Sequence, residues 1–314
     1  MSKISVIGAG NVGASCIEAI QHMDVASEVT LLDIKPGLAE GKALDINQGA
    51  KLYHAHSKVV GATNDYAATE NSDVVIITSG MPRKPGMTRE ELVGVNAKIM
   101  TSIVDSVLKH SPKAKIIVVA NPMDTMNYLV HKTSGLPRNQ VMGMGGMLDS
   151  SRFTYYLSEA LNVPVADIDC MVIGAHGDKT MIPLIRYATY RGIPVTNYLS
   201  KEVCDKVIAD TMVGGATLTG MLGTSAWYAP GISAASMAKA IIKDEKKLMP
   251  CSCYLEGEYG ESDICMGVPA VLGKNGVEKI VDINLNDDEK ALFKSSAEAS
   301  RKTNAVIKEL GYIK

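Results

Sequence analysis

The sequence predicts an α/β fold in which a Rossmann-type, doubly wound parallel sheet is followed by a C-terminal α+β domain. In the first half, short apolar runs rich in β-branched residues alternate with patterns of helical period. A glycine-rich turn directly follows the first apolar run. After about Gly146 the alternation gives way to a mixed pattern. We therefore expect two domains, residues 1–146 and 147–314.

Five strands are expected in the first domain, at residues 4–7, 29–32, 58–60, 74–78 and 116–119. These runs are largely apolar instead of alternating, which is typical of a parallel sheet covered on both faces. Residues 89–109 are expected to form a helix, because apolar residues recur there at helical spacing. Thr88 and Glu91 predict a capping box at its start.

The second domain is expected to mix helices with an antiparallel hairpin. Asn275-Gly276 is a strong hairpin signal between two apolar runs. The expected helices are residues 150–161, 201–221 and 287–310, and the expected strands are residues 169–173, 268–272 and 277–283.

Charge and cysteine usage exclude several classes of protein. The chain has 32 basic and 34 acidic side chains and a net charge of −2, so no general field attracts nucleic acid or an anionic membrane. Six scattered cysteines without a CxxC pair favour reduced thiols in a cytoplasmic protein over disulfides or a metal site. The expected strand starting near Lys3 leaves no room for a targeting peptide.

One long stretch, residues 211–238, carries no charge. Its length would allow a membrane span, but it contains several glycines and Pro230 together with many Ser and Thr residues. We expect helix packed inside the protein or between subunits, and no membrane association.

The glycine-rich turn predicts a dinucleotide site. Its residues are Gly8, Ala9, Gly10, Asn11, Val12 and Gly13. Glycines at this spacing allow a tight turn, close approach of the main chain to a diphosphate, and close packing of helix on strand. Asp33 ends the second strand, where a carboxylate can accept hydrogen bonds from a ribose and repel a 2′-phosphate. NAD is therefore the expected cofactor.

A basic loop follows the fourth strand. Residues 80–92 hold three cations, Arg83, Lys84 and Arg89, together with two prolines. Residues 78–80 and 119–121 end the fourth and fifth strands, at the sheet edge where cofactors lie in doubly wound folds. The loop is therefore expected at the cofactor crevice, which disfavours a purely decorative surface loop.

Among the six histidines, His176 is the candidate for proton transfer. It follows an apolar run inside GAHGD, and the flanking glycines let a substrate approach the imidazole. Its ordinary pKa of about 6.5 suits exchange with an alcohol near neutral pH. Asp149 and Arg152 stand three residues apart at the start of a helix and can share one face. Asp149 as a helix N-cap is the alternative on spacing alone.

These motifs occur together in the order found in one family. GAGNVG, PRKPGMTR, ANPMD, MLDSSRF, GAHGD and SAWYAP run along essentially the whole chain, which resembles the lactate/malate dehydrogenase family. PRKPGMTR resembles the malate-specific members of its lactate-dehydrogenase-like branch. The likeness implies an NAD-dependent oxidoreductase that interconverts malate and oxaloacetate as a homodimer or homotetramer.

The resemblance also implies a role for each matched residue. His176 would accept the proton when malate is oxidised, and Asp149 would orient it. Arg152 would hold the C1 carboxylate, Arg83 the distal carboxylate, and Arg89 would polarise the reacting oxygen. Asn121 would contact the substrate beside the nicotinamide, and Asn96 and Val119 would contribute to NAD binding.

Two rival functions remain. A lactate dehydrogenase would need a neutral residue such as Gln in place of Arg83, because a lactate methyl group would leave the cation desolvated without a partner. A non-catalytic NAD-binding sensor is expected to have lost His176, Asp149 or Arg152. Two positions depart from the family pattern, Asp124 in ANPMD and Trp227 in SAWYAP.

Overall fold

The first half of the chain forms the expected parallel sheet with helices on both faces. A computed structural model describes residues 2–82 and 88–313. The strands are β1 (Lys3–Ile7), β2 (Glu28–Asp33), β3 (Lys58–Thr63), β4 (Val74–Ile77), β5 (Lys115–Val118) and β6 (Val141–Gly143). The helices are α1 (Asn11–His22), α2 (Leu38–Gly49), α3 (Arg89–His110) and α4 (Met123–Ser134). All neighbouring strands pair in parallel in the order β3-β2-β1-β4-β5-β6, which is the doubly wound order of dinucleotide-binding folds.

The second half adds helices and antiparallel strands. The helices are α5 (Gly145–Leu161), α6 (Lys201–Leu222), α7 (Tyr228–Ile242) and α8 (Asp287–Glu309). The strands are β7 (Ile168–Asp169), β8 (Val172–Gly174), β9 (Met181–Pro183), β10 (Thr189–Tyr190), β11 (Ile193–Pro194), β12 (Lys247–Glu256), β13 (Ser262–Gly273) and β14 (Gly276–Ile280). β13 and β14 form the hairpin that Asn275-Gly276 predicts.

One sheet runs through both halves. β6 pairs antiparallel with β12 through Gly143 and Ser252, and the order continues as β12-β13-β8-β9. In the parallel part of this sheet, the last residues of four strands are aligned. Ile7 lies between Leu32 and Ile77, and Ile77 lies beside Val118. The residues that follow these four therefore emerge at a single edge of the sheet, and this edge holds the site.

Several expected boundaries in the second half are wrong. The strand expected at residues 268–272 is longer, since β13 begins at Ser262, and the strand expected at residues 277–283 ends at Ile280. The single strand expected at residues 169–173 is two strands, β7 and β8, separated at Cys170 and Met171. The helix expected to start at Ser150 starts at Gly145, because Gly145 and Gly146 are part of it. Both glycines face close neighbours: a Cβ on Gly145 would lie 2.7 Å from Cβ of His176, and one on Gly146 would lie 2.8 Å from the Pro250 oxygen.

The uncharged stretch at residues 211–238 is divided between two helices. α6 ends at Leu222 and α7 begins at Tyr228, so the stretch is not one continuous helix. In the described part of the chain, no helix is long and apolar enough to cross a membrane. The buried face of α7 packs against α1 and the sheet, whereas Met221, Tyr228 and Ile232 are exposed. All six cysteines are free thiols.

Candidate active site

The glycine turn between β1 and α1 is as tight as its spacing predicts. Gly8 has a φ of +108°, and a Cβ on Gly13 would lie 1.8 Å from the Gly8 carbonyl oxygen. Nothing lies within 4 Å of the position of a Cβ on Gly10, which is the N-cap of α1 and has no side chain to cap the helix. The first N–H groups of α1 are therefore available to an anion, and the residues present fit a dinucleotide diphosphate.

Asp33 lies against this turn. Its Oδ2 accepts a hydrogen bond of 2.7 Å from the Ala9 N–H, and its Oδ1 accepts one of 2.9 Å from the Lys35 N–H. A carboxylate has further lone pairs, so Asp33 can support the turn and still accept hydrogen bonds from a ribose. Lys42 of α2, which the sequence patterns did not identify, donates to the Ala9 carbonyl at 2.7 Å.

Asn96 ties the ends of β4 and β5 together. It is 2% exposed, and its Nδ2 donates to the Asn121 carbonyl at 2.7 Å and to the Met81 carbonyl at 3.1 Å. Its Oδ1 accepts from the Met81 N–H at 2.7 Å. The amide is thus engaged by the main chain on both sides, and it fixes the position of Asn121 in the crevice.

His176, Asp149 and Arg152 are brought together beyond the end of β5. Nδ1 of His176 lies 2.7 Å from Oδ2 of Asp149, and Nη1 of Arg152 lies 3.3 Å from Oδ1 of the same carboxylate. Asp149 is 1% exposed and is the fifth residue of α5, which has Met144 as its N-cap. The N-cap alternative for Asp149 is therefore wrong, and the expected shared helical face with Arg152 is confirmed.

The environment of His176 favours its protonated form. Burial alone would lower the pKa of the imidazole, but the charge and hydrogen bond of Asp149 outweigh burial and raise it above the ordinary value. Asp124 adds to the increase, and Arg152 opposes it. Since Nδ1 faces Asp149, Nε2 is the nitrogen left to exchange a proton with a substrate.

A cleft of about 320 Å³ joins the glycine turn to this group. Of the predicted site residues, it is lined by Val12, Val119, Asn121, Arg152 and His176. Its other walls include residues that the motifs did not single out as site residues, namely Met144, Leu148, Gly177, Asp178, Met181, Gly215, Thr219, Ser225, Ala226 and Pro230. They lie on α5, α6, α7 and β9 and in the segments beside these elements. Their approach to His176 depends on the fold, although Gly177 and Asp178 lie in GAHGD and Ser225, Ala226 and Pro230 lie in SAWYAP.

The side chain of Arg152, a residue of α5, packs against Gly214 and Gly215 of α6. A Cβ on Gly215 would lie 3.4 Å from Nη1 of Arg152, so this glycine leaves the guanidinium room at the cleft wall. Nε of Arg152 is buried and has no hydrogen-bond partner within the described chain. Arg83 lies outside the described residues, and for Arg89 only the main chain, at the start of α3, is described.

The chain is similar to known proteins along nearly its whole length. Residues 2–143 match the lactate/malate dehydrogenase NAD binding domain, and residues 146–309 match the lactate/malate dehydrogenase alpha/beta C-terminal domain. Malate dehydrogenase from Bacteroides thetaiotaomicron is 61% identical over 311 residues, which cover 99% of each chain.

Two solved structures show the same fold. Malate dehydrogenase from Salinibacter ruber has a TM-score of 0.94 at 43% identity, and the match covers 98% of each chain. Lactate dehydrogenase from Cryptosporidium parvum, complexed with lactic acid and nicotinamide adenine dinucleotide, has a TM-score of 0.93 at 37% identity, again over 98% of each chain. Together with the two matched domains, these likenesses show that the chain belongs to the lactate/malate dehydrogenase family.

Proposed function

We propose that this protein is an enzyme that interconverts (S)-malate and oxaloacetate with NAD as the cofactor. The observation that carries the proposal is the contact of 2.7 Å between His176 and the buried carboxylate of Asp149, in a cleft that leads to the glycine turn. The sequence identity of 61% to a malate dehydrogenase supports the choice of substrate. The cofactor, when bound, supplies the hydride acceptor or donor.

The glycine turn and Asp33 would hold the cofactor. The diphosphate would lie at the uncapped N-terminus of α1, against the main chain of residues 8–13. Asp33 would accept hydrogen bonds from the adenosine ribose and disfavour a 2′-phosphate by like-charge repulsion. Val12 of the turn, Val119 and Asn121 line the cleft and would surround the nicotinamide end, with Asn96 acting through Asn121.

His176 and Asp149 would handle the proton. When malate is oxidised, Nε2 of His176 would take the proton of the C2 hydroxyl, and the Asp149 carboxylate would stabilise the imidazolium that results. In the reverse direction, the imidazolium would return this proton to the C2 oxygen. Burial of Asp149 keeps its charge unscreened, which strengthens both its orienting and its electrostatic effect.

Three arginines would recognise the dicarboxylate. Arg152 has a planar guanidinium at the cleft wall that suits bidentate contact with the C1 carboxylate. From the sequence likeness, Arg83 would pair with the distal carboxylate and Arg89 would polarise the C2 oxygen. The choice of malate over lactate depends on Arg83, because a methyl group in its place would leave that cation desolvated.

The two matched domains and the exposed apolar residues support two proposals about organisation. We place the boundary between the nucleotide-binding and catalytic domains at residues 146 and 147, close to the change between the two matched domains. We also propose a homodimer or homotetramer. Large apolar side chains are exposed at the end of α6 and on α7, where Met221 is 77% and Tyr228 66% exposed.

Initial rates of NADH oxidation with oxaloacetate and with pyruvate, measured side by side, test the proposed function. We expect oxaloacetate to be favoured in kcat/KM. Arg83→Gln should reduce that value by roughly 10²-fold or more, since removing one partner of a desolvated ion pair costs about 3–5 kcal/mol. Pyruvate reduction should hold or rise. A preference for pyruvate in the unmodified protein would identify a lactate dehydrogenase, and no turnover of either substrate would favour a non-catalytic sensor.

A further inference from the structure

A second carboxylate contacts His176, through its main chain instead of its imidazole. Asp124 is the second residue of α4, and its Oδ2 accepts a hydrogen bond of 2.7 Å from the His176 main-chain N–H. The side chain is buried, with 6% of the residue exposed. Its Oδ1 has no hydrogen-bond partner within the described chain. Burial of a carboxylate with one oxygen unpaired costs free energy. Here that carboxylate contacts the proposed proton-transfer residue, His176.

The groups facing this pair come from three elements. Asp149 and Arg152 of α5 face His176, and the Ser252 hydroxyl of β12 and the Cys265 thiol of β13 face Asp124. Arg152 is the cation of this set, and it contacts Asp149, not Asp124. His176 is therefore the group through which the charge of Asp124 can be compensated when the imidazole is protonated.

The protonation states of Asp124 and His176 are linked. Burial raises the pKa of the Asp124 carboxyl to about 6, although the Ser252 hydroxyl and the His176 N–H lower it. A proton on His176 favours the Asp124 anion, and the Asp124 anion in turn raises the pKa of His176. Charge on one residue therefore changes with charge on the other in the pH range in which the imidazole works.

We propose that Asp124 is a positioning residue for proton transfer, which fixes the main chain of His176 and holds a second negative charge against the imidazolium. The hydrogen bond fixes where Nε2 lies in the cleft, because it restrains the main chain at the residue that carries the ring. The charge stabilises the protonated imidazole in addition to Asp149. This inference rests on the proposed role of His176 in the conversion of malate.

Asp124→Asn separates the two effects. The amide oxygen can still accept the His176 N–H, but the negative charge is lost. Reduction of oxaloacetate needs the imidazolium, so kcat/KM declines as the pH rises through the pKa of His176. We expect this decline to occur at a pH lower by about half a unit or more than in the unmodified protein. The KM for NADH should not change. Asp124→Ala removes the hydrogen bond as well, and kcat should fall by about 10², as expected when a catalytic group is misplaced by an ångström.

Two further variants make the test specific. Ser252→Ala removes a hydroxyl that lowers the pKa of Asp124, so it should shift the same decline to lower pH by a smaller amount. Asp263→Asn is the matched control, because Asp263 accepts hydrogen bonds from Tyr128 and Lys132 of the same helix α4. It should lower thermal stability without moving the pH profile.

An NMR titration of the His176 ring, assigned with His176→Asn, gives the same answer without turnover. The pKa of the ring should be lower in Asp124→Asn than in the unmodified protein. An unchanged ring pKa, or a uniform loss of rate at every pH in Asp124→Asn, would overturn the inference. If the unmodified protein fails to reduce oxaloacetate, the proposed function fails, and the ring titration still decides the role of Asp124.

Discussion

The two ends of the cleft are built in different ways. At the nucleotide end, residues 8–13 act through their main chain and through glycines that have no side chain. A Cβ on Gly13 would have no room, and nothing lies within 4 Å of the position of a Cβ on Gly10. At the other end, His176 and Asp149 act through buried polar side chains that are 27 residues apart in sequence. The first end depends on backbone geometry, whereas the second depends on the pairing of charges.

This difference predicts which substitutions each end tolerates. A contiguous turn can lose a polar side chain with little effect, provided that the backbone keeps its path. A buried charge network loses most of its function when one partner is removed, because the remaining group is left unpaired in a medium of low dielectric. Substitutions at the two ends should therefore damage different steps, cofactor binding at one end and proton transfer at the other.

The largest effect is expected at His176. His176→Asn should lower kcat by about 10² to 10⁴, because the general acid and base is lost. Asp149→Asn should lower kcat as well, since the imidazolium loses its buried counter-charge. NADH affinity, measured by fluorescence titration, should be retained in both variants. A loss of NADH affinity as large as the loss of kcat would show that the two ends do not act separately.

The features that the sequence predicted are those encoded by residues close together in the chain. Five of the six parallel strands, the GxGxxG turn and the β13–β14 hairpin were expected and are confirmed, because each is encoded by neighbouring residues. The short strand β6 was not expected. The proximity of Asp149 and Arg152 was expected from helical spacing and is confirmed. The roles of Arg83 and Arg89 stay predictions from the sequence.

Long-range features were missed for physical reasons. β12 lies in the middle of the sheet although it contains Pro250, a residue that normally argues against a central strand. In the register, Pro250 lies opposite Pro269 of β13. The contact of Asp124 with His176 joins residues 52 apart, and no periodicity along the chain indicates it.

The next effect in size is expected at Gly13. In Gly13→Ala, the added Cβ would lie 1.8 Å from the Gly8 carbonyl oxygen, so α1 must move away from β1. We expect NADH affinity to fall by about tenfold or more and the free energy of unfolding to fall by about 1–3 kcal/mol. Gly41→Ala in α2 is the control, because nothing lies within 4 Å of its Cβ position. It should leave affinity unchanged and stability equal or slightly higher.

The smallest effect is expected at Asp33. It belongs to the nucleotide end, but unlike the residues of the glycine turn it acts through a charged side chain. The unmodified protein should prefer NADH over NADPH in kcat/KM. Asp33→Asn keeps an oxygen that can accept the Ala9 N–H, and it removes the charge that would repel a 2′-phosphate. The ratio of kcat/KM for NADH to that for NADPH should fall by about tenfold, which corresponds to about 1.4 kcal/mol. Asp33→Ser removes the charge and also shortens the side chain that supports the turn, so it should additionally weaken NADH binding. If both variants kept the full preference for NADH, cofactor choice would come from the glycine turn itself, and the nucleotide end would act through its backbone alone.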